Sequence, residues 1–213
     1  MIFIAFEGLD GSGKSSLMSQ LEKELNSRHI EFIKTREPGG TAIGDQLREI
    51  ILKKSDGEAP PSARTELLLY QASRAQHVDC VIAPALQNKK WVLCDRFTAS
   101  SVAFQSGGRN ISRTDVDWLN QFSTANLKPH LQILLDLTVD ESKKRRQKRF
   151  TEVGDAEDRM ESEADDFHQR VRRGFLQQAE QFPQDWLVLD AAKSPQVLFG
   201  ELVLELQRHR WLV

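Results

Sequence analysis

Glu7 to Ser16 reads EGLDGSGKSS and follows directly on the apolar run Ile2–Phe6. Three glycines, Gly8, Gly11 and Gly13, stand there beside Lys14, Ser15 and Ser16. Glycines at a strand mouth cost backbone entropy and give up side chains that could pack. Their presence points to something that approaches the main chain closely. Gly8 through Ser15 fits G-x-x-x-x-G-K-[ST], a spacing in which successive N–H groups curl around a phosphate at a helix N-terminus. On this reading Gly8, Leu9, Asp10, Gly11, Ser12, Gly13, Lys14, Ser15 and Ser16 cradle the tail of a nucleoside triphosphate. Lys14 reaches the β- and γ-phosphates, and the Ser15 hydroxyl sits on Mg²⁺. Without ligand, the Lys14 side chain is expected to face solvent. The alternative is a glycine-rich turn that binds nothing, and the full motif between a strand and a helix weighs against it. The loop alone does not choose among GTPases, ATPases and kinases. NKKW (Asn88–Trp91) lacks the carboxylate of a guanine-reading N-K-x-D motif.

The remaining chemistry is carried by arginines, carboxylates and a few helix-spaced pairs. Arg36, Arg48 and Arg96 fall in loops or helix starts near the expected carboxyl edge of a sheet, where anionic ligands bind. The planar guanidinium can meet phosphate oxygens with two parallel hydrogen bonds. For any one arginine a solvated surface role is the alternative. Asp95 closes the apolar strand WVLC and can orient Mg²⁺ directly or through water. It can equally cap a helix or pair with Arg96. Tyr70 and Arg74 stand four residues apart, as do Ser101 and Gln105, so a helix sets each pair on one face. KKRRQKR (Lys143–Arg149) is a basic run that taken alone suggests a nucleic-acid patch or a solvated face.

Four further stretches share one pattern. TREPGGT (Thr35–Thr41) with Arg48, LLLYQASRAQHV (Leu67–Val78), DRFTASSVAFQSGGR (Asp95–Arg109) and DRMESE (Asp158–Glu163) follow the glycine-rich loop in order. Together they resemble the thymidylate kinase family over essentially the whole chain. The resemblance implies a P-loop nucleoside monophosphate kinase of bacterial type, in which ATP with Mg²⁺ phosphorylates dTMP to dTDP. It places Asp10 near the acceptor sugar and phosphate, and Glu37 with Pro38 at the deoxyribose end, the Glu37–Pro38 bond being a candidate cis peptide. It also implies that Tyr70 stacks on thymine, Arg74 donates to the base, and Ser101 and Gln105 meet its Watson–Crick edge. Phe104 stands where the family usually carries Tyr, packed where a ribose 2′-hydroxyl would be. The basic run becomes part of a lid at about residues 143–158. The loop carries no arginine, so Arg145, Arg146 or Arg149 is expected to meet the transferred phosphoryl group, with Arg149 the first choice. LDAAKSP (Leu189–Pro195) matches a loop near adenine. The family pattern further implies a homodimer. Two other readings stay open: a kinase for another pyrimidine monophosphate, and a nucleotide-binding regulator or nucleic-acid binder.

Short apolar strands are expected at Ile2–Phe6, Glu31–Thr35, Trp91–Cys94, Leu131–Leu135 and Trp186–Leu189. Amphipathic helical segments alternate with them, one of which puts Leu17, Leu21 and Leu25 on a single stripe. Others lie at Asp115–Phe122, Glu141–Arg149, Ala164–Gln181 and Gln196–Arg208, and a long one after Thr65 runs until Pro84 disturbs it. This alternation predicts an α/β protein with a doubly wound, five-stranded parallel sheet in one domain. Lys53–Arg64 and Phe150–Asp158 are expected as loops. The chain of 213 residues has a formal net charge of −2, which gives no global pull toward nucleic acid or an acidic membrane. No apolar run approaches the roughly 20 residues needed to span a bilayer. The two cysteines, Cys80 and Cys94, are expected reduced in a cytoplasmic core.

Overall fold

The computed structural model describes residues 1–54, 59–154 and 157–212. Strands β1 (Phe3–Glu7), β2 (Phe32–Arg36), β3 (Trp91–Asp95), β4 (Leu131–Asp136) and β5 (Trp186–Asp190) form one sheet in the order β2-β3-β1-β4-β5. Every pairing is parallel. The expected α/β, doubly wound, five-stranded architecture is the one observed. Each strand also runs one residue beyond its expected end, and those residues are Glu7, Arg36, Asp95, Asp136 and Asp190. A charged residue ends an apolar run in the sequence, but its backbone still pairs. The carboxyl edge of the sheet is therefore charged. Because β1 lies between β3 and β4, the chain reverses its winding there and opens a crevice at the carboxyl end of β1.

The helices are α1 (Lys14–Ser27), α2 (Ala42–Leu52), α3 (Ala63–His77), α4 (Ala83–Gln87), α5 (Thr98–Ser101), α6 (Arg113–Thr124), α7 (Val139–Val153), α8 (Asp165–Gln181) and α9 (Pro195–Arg208). On β1, Ile4 and Phe6 join the cluster formed with Leu17, Leu21 and Leu25 of α1 and Leu198, Leu202 and Leu206 of α9. Phe3 and Ala5 face the other way, into a cluster with Val78, Ile82 and Leu86. Burial on both faces is what the continuously apolar strands require. α2 was not anticipated; Gly44 weakens its helical signal, and the Thr41 hydroxyl starts it by accepting from the Gly44 N–H at 2.9 Å. The long helix before Pro84 breaks earlier than expected, in a π-helical turn at Val78–Ile82 where the Ala83 N–H bonds the Val78 carbonyl. A second π-helical turn, Val102–Gly108, extends α5.

Phe150–Val153, expected as loop, continues α7 until Gly154 closes it in the left-handed conformation. Parts of both expected loops, residues 55–58 and 155–156, lie outside the described residues. Both cysteines are free, but only Cys94 is buried; Cys80 is exposed rather than in the core. Among the described residues no helix is long and apolar enough to cross a membrane.

Candidate active site

The loop from Gly8 to Gly13 joins β1 to α1 at the centre of the carboxyl edge. A Cβ on Gly8 would lie 2.5 Å from the Leu135 carbonyl oxygen, at a φ of +135°. Only glycine fits there. Gly13 caps α1 in the left-handed conformation, with no side chain on the cap and no acid in the first turn, so the helix presents bare N–H groups. Ser15 and Ser16 are exposed in that first turn, whereas Leu9 packs inward and the Ser12 hydroxyl is buried without a partner. Lys14 corrects an expectation. Its side chain is buried, and Nζ donates to the carbonyls of Gly8 at 3.3 Å and Leu9 at 3.2 Å.

Beside the loop lies a cleft walled by charged, polar and aromatic side chains. Its walls bring together Asp10, Glu37, Pro38, Arg48, Tyr70, Arg74, Arg96, Ser101, Phe104 and Gln105. Of the residues expected around a bound monophosphate, only Arg36 stays out. It lies in a neighbouring depression with Arg48 and Asp45, its side chain 58 % exposed. The Glu37–Pro38 peptide is cis. Ser100, Leu52, Asp158 and Met160 complete the lining and were not singled out as site residues. Asp158 and Met160 sit in the DRMESE stretch, so the signal was present but its contact with the cleft is purely tertiary.

Arg96 enters the cleft from a left-handed backbone, φ +68°, a costly conformation for a residue with a side chain. Its guanidinium donates to Asp10 at 2.7 Å and to Ser100 Oγ at 3.3 Å, and lies over the Phe104 ring at 5.0 Å. Burial works against ionisation of Asp10, but Arg96 and Lys14 outweigh it and hold this carboxyl well below the usual range. Asp10 is therefore a hydrogen-bond acceptor and not a proton acceptor at neutral pH. Behind these groups sits Glu7, fully buried, which accepts from the Phe97 N–H at 2.8 Å and the Ser100 hydroxyl at 2.6 Å. Burial pushes its pKa up to about 7 against those bonds and the nearby cations. Nothing in the sequence near Glu7 announces this role, because its partners lie 90 and 93 residues away in the chain.

Arg74 is 1 % exposed and heavily engaged. It donates to Glu37 at 2.7 Å, Asn120 at 2.7 Å, Ser101 at 2.9 Å and the Phe97 carbonyl at 3.0 Å. Glu37 has its second oxygen 3.1 Å from His77 Nδ1, whose Nε2 lies 2.6 Å from the Thr35 hydroxyl. One Glu37 oxygen thus meets Arg74 and the other His77. Arg74 also donates to Gln71 Oε1 at 3.2 Å, so acceptors surround most of its five N–H groups. Tyr70 and Arg74 share this wall, as their four-residue spacing anticipates, and burial raises the Tyr70 pKa so that the phenol stays neutral.

On the other side of the loop, Ser12, Gly13 and Ser16 line a depression with Arg145, Ala191, Lys193 and Pro195. Ala191, Lys193 and Pro195 come from LDAAKSP, the stretch expected near adenine. The start of α7 packs on the loop: the Ser142 hydroxyl donates to the Asp10 carbonyl at 2.6 Å, and a Cβ on Gly11 would meet Arg145 and Ser142 at 3.2 Å. Arg145 donates to the Ala191 carbonyl at 3.1 Å. Arg146 is 4 % exposed, hydrogen-bonds the Glu161 carbonyl, keeps an unpartnered Nε, and is close enough to lower the Asp10 pKa. Arg149 lies a turn further along, paired with the Glu161 carboxylate and over the Phe150 ring. Of these three arginines, Arg145 and Arg146 lie against the loop and Arg149 a turn beyond. Asp95, at the end of β3, keeps one buried carboxylate oxygen without a hydrogen bond. Among the described residues no cluster of three or more metal-ligating side chains occurs.

Comparison with known proteins agrees with this geometry. Residues 6–201 match the family model described as Thymidylate kinase. The chain is 59 % identical over 212 residues to a protein named thymidylate kinase from Bdellovibrio bacteriovorus, covering 100 % of this chain and 98 % of the relative. It is 41 % identical to one so named from Pelobacter propionicus, over 98 % of this chain and 94 % of the relative. A third, from Geotalea daltonii, is 45 % identical over 90 % of each. With the glycine-rich loop, the arginine-lined cleft and a matched model spanning both, the chain belongs to the thymidylate kinase family.

Proposed function

We propose that this chain is a dTMP kinase that moves the γ-phosphoryl group of ATP to the 5′-phosphate of dTMP, giving dTDP and ADP. The observation that carries the reading is a pair of anion sites on either side of Asp10 and Lys14. One is the bare start of α1 with the depression beside Ala191 and Lys193; the other is the cleft of Arg48 and Arg96. An oxygen of the dTMP phosphate bonds to the γ-phosphorus as the bond to the β–γ bridging oxygen breaks, and ADP leaves with that electron pair. The attacking oxygen is already largely ionised at neutral pH, so no general base is required. Asp10 orients Arg96 and the acceptor end instead.

In this reading Arg48 and Arg96 clamp the acceptor phosphate, while Arg36 guides it in from the rim. Lys14 exchanges the carbonyls of Gly8 and Leu9 for phosphate oxygens. Arg146, supported by Arg145, neutralises the charge on the transferring group, the step on which such a system spends most of its catalytic power. Residues about 143–158 act as the lid that brings these arginines in, on a chain that folds as one domain. Tyr70 stacks on thymine, Arg74 donates to its 4-oxygen, Ser101 and Gln105 serve the base edge, and Phe104 fills the space of a ribose 2′-hydroxyl. Glu37 and Pro38 shape the deoxyribose end. The unpaired oxygen of Asp95 and the exposed Ser15 suit Mg²⁺, which takes few protein ligands beside phosphates and water. Bound there, Mg²⁺ would offset charge on the β- and γ-phosphates.

Exposed Ile43 and Ile50 of α2, Leu68 of α3, and the stacked Trp118 and Phe122 of α6 give three neighbouring helices an apolar outer face. A second copy covering it accounts for these side chains, so we read the enzyme as a homodimer working on cytoplasmic nucleotides. The basic run belongs to the lid in this account and not to a nucleic-acid surface. The test is ADP release from ATP by the purified chain. Release that depends on both dTMP and Mg²⁺ is expected, and release indifferent to dTMP would overturn the reading.

A further inference from the structure

Gln105 is 1 % exposed and lines the cleft, and its side-chain amide has two unlike ends. The end that faces a base decides whether the residue accepts or donates. Its Nε2 donates to Glu66 Oε1 at 2.9 Å. Glu66 is fully buried, on the turn of α3 that precedes Tyr70. It also accepts from Arg109 Nε at 3.2 Å and NH2 at 3.0 Å, and lies 2.8 Å from Arg159 NH2. Burial opposes its ionisation, but the hydrogen bonds from Arg109 and Gln105, with the Arg159 guanidinium beside it, prevail and lower its pKa. An ionised carboxylate only accepts. Turning the amide over would set two oxygens against each other with no hydrogen between them.

We propose that Glu66 is a positioning residue for base selection: it locks the Gln105 amide so that the carbonyl Oε1 is the end presented to the base. Thymine carries N3–H, a donor, and satisfies that carbonyl. Cytosine carries an unprotonated N3, an acceptor, and leaves two acceptors facing each other in a closed site. Arg74 discriminates at the 4-position; Glu66 adds a second discrimination at N3 without touching the nucleotide. The two are mechanically separate, because Arg74 is held by Glu37, Asn120 and Ser101. Glu66 instead draws on Arg109 and on Arg159, whose Nε donates to the Ile51 carbonyl at the end of α2. This inference rests on the dTMP kinase reading.

The test is kcat/KM for dTMP and for dCMP in the unmodified chain, Glu66→Gln and Glu66→Asp. Glutamine can donate to the Gln105 carbonyl and let the amide turn over, so the dTMP-to-dCMP ratio should fall at least about tenfold, since mispaired buried polar groups dominate such discrimination. Glu66→Asp keeps the charge between the two arginines but withdraws the carboxylate by one methylene. If the glutamine variant does not fold, the aspartate variant should still lower the ratio at least about threefold. A merely structural role would slow both substrates alike and leave the ratio where it was, and that result overturns the inference. In a Gln105→Leu background there is no amide to orient, so Glu66→Asp should leave the ratio unmoved. An undiminished fall there also overturns it. Loss of all dTMP turnover in the unmodified chain would instead overturn the kinase reading itself, and the inference with it.

Discussion

Glu7 shows how much of this site rests on single side chains that no motif announces. It is the last residue of β1, and its two carboxyl oxygens hold the Phe97 N–H and the Ser100 hydroxyl, fixing the turn from which Arg96 projects at φ +68°. Its pKa is raised from 4.5 to about 7, chiefly by burial. Between those values the folded chain holds a proton that the unfolded chain has lost, so this group's contribution to stability falls as pH rises through that window and is constant above it. Against Glu7→Gln, the unmodified chain should lose about 3 kcal/mol of stability from pH 4.5 to 7. Denaturant titrations of both proteins at several pH values check this, and a constant difference between them would contradict it. The glycine-rich loop was legible because its spacing is local. Glu7 and Glu66 were not, because a lone buried carboxylate takes its meaning from partners remote in sequence.

At the scale of elements, α7 turns a basic run into a graded set of positions. Thr138 caps it, its hydroxyl accepting from the Glu141 N–H at 3.3 Å, and Ser142 ties its first turn to the Asp10 carbonyl. A helix rises roughly 1.5 Å per residue, so Arg145 and Arg146 fall beside the loop and Arg149 a turn beyond. Arg146→Ala should therefore cut kcat by about 10³-fold or more with a much smaller rise in the KM for ATP, as for a charge supplied to the transferring phosphoryl group. Arg149→Ala should cost far less. Steady-state kinetics of the two variants decide the point, and the opposite ranking would return the role to Arg149. The sequence showed that this helix exists but not where the arginines sit around it, because its register against Gly11 is set by tertiary packing. α2 was missed for a different reason: Gly44 near its start is a poor helix former, although the segment's apolar residues do recur at helical spacing.

For the whole molecule, the parallel sheet could be anticipated because three of its strands are nearly continuously apolar and all five alternate with helices, whereas the strand order is a tertiary fact. What the apolar strands hid was the charged residue that ends each one and makes the sheet edge a ligand surface. The apolar outer face on α2, α3 and α6 predicts a dimer. Trp118→Glu with Phe122→Lys should shift the chain from twice its mass of 24.3 kDa to its monomer mass in sedimentation, and an unchanged mass would contradict the assignment. The central claim is that this cleft selects thymine. Removing Arg74 is a poor probe of it, since truncation would strand the buried Glu37 carboxylate and cost about 3–5 kcal/mol in stability. The unmodified chain is the cleaner instrument, with kcat/KM compared across dTMP, dUMP and dCMP in an ADP-release assay. Loss of the 5-methyl group should cost about 1–3 kcal/mol, whereas the 4-amino group of cytosine opposes the donor of Arg74 and should cost about 10⁴-fold or more. The expected result is dTMP first, dUMP next and dCMP close to background; dCMP turned over as well as dUMP would contradict the account.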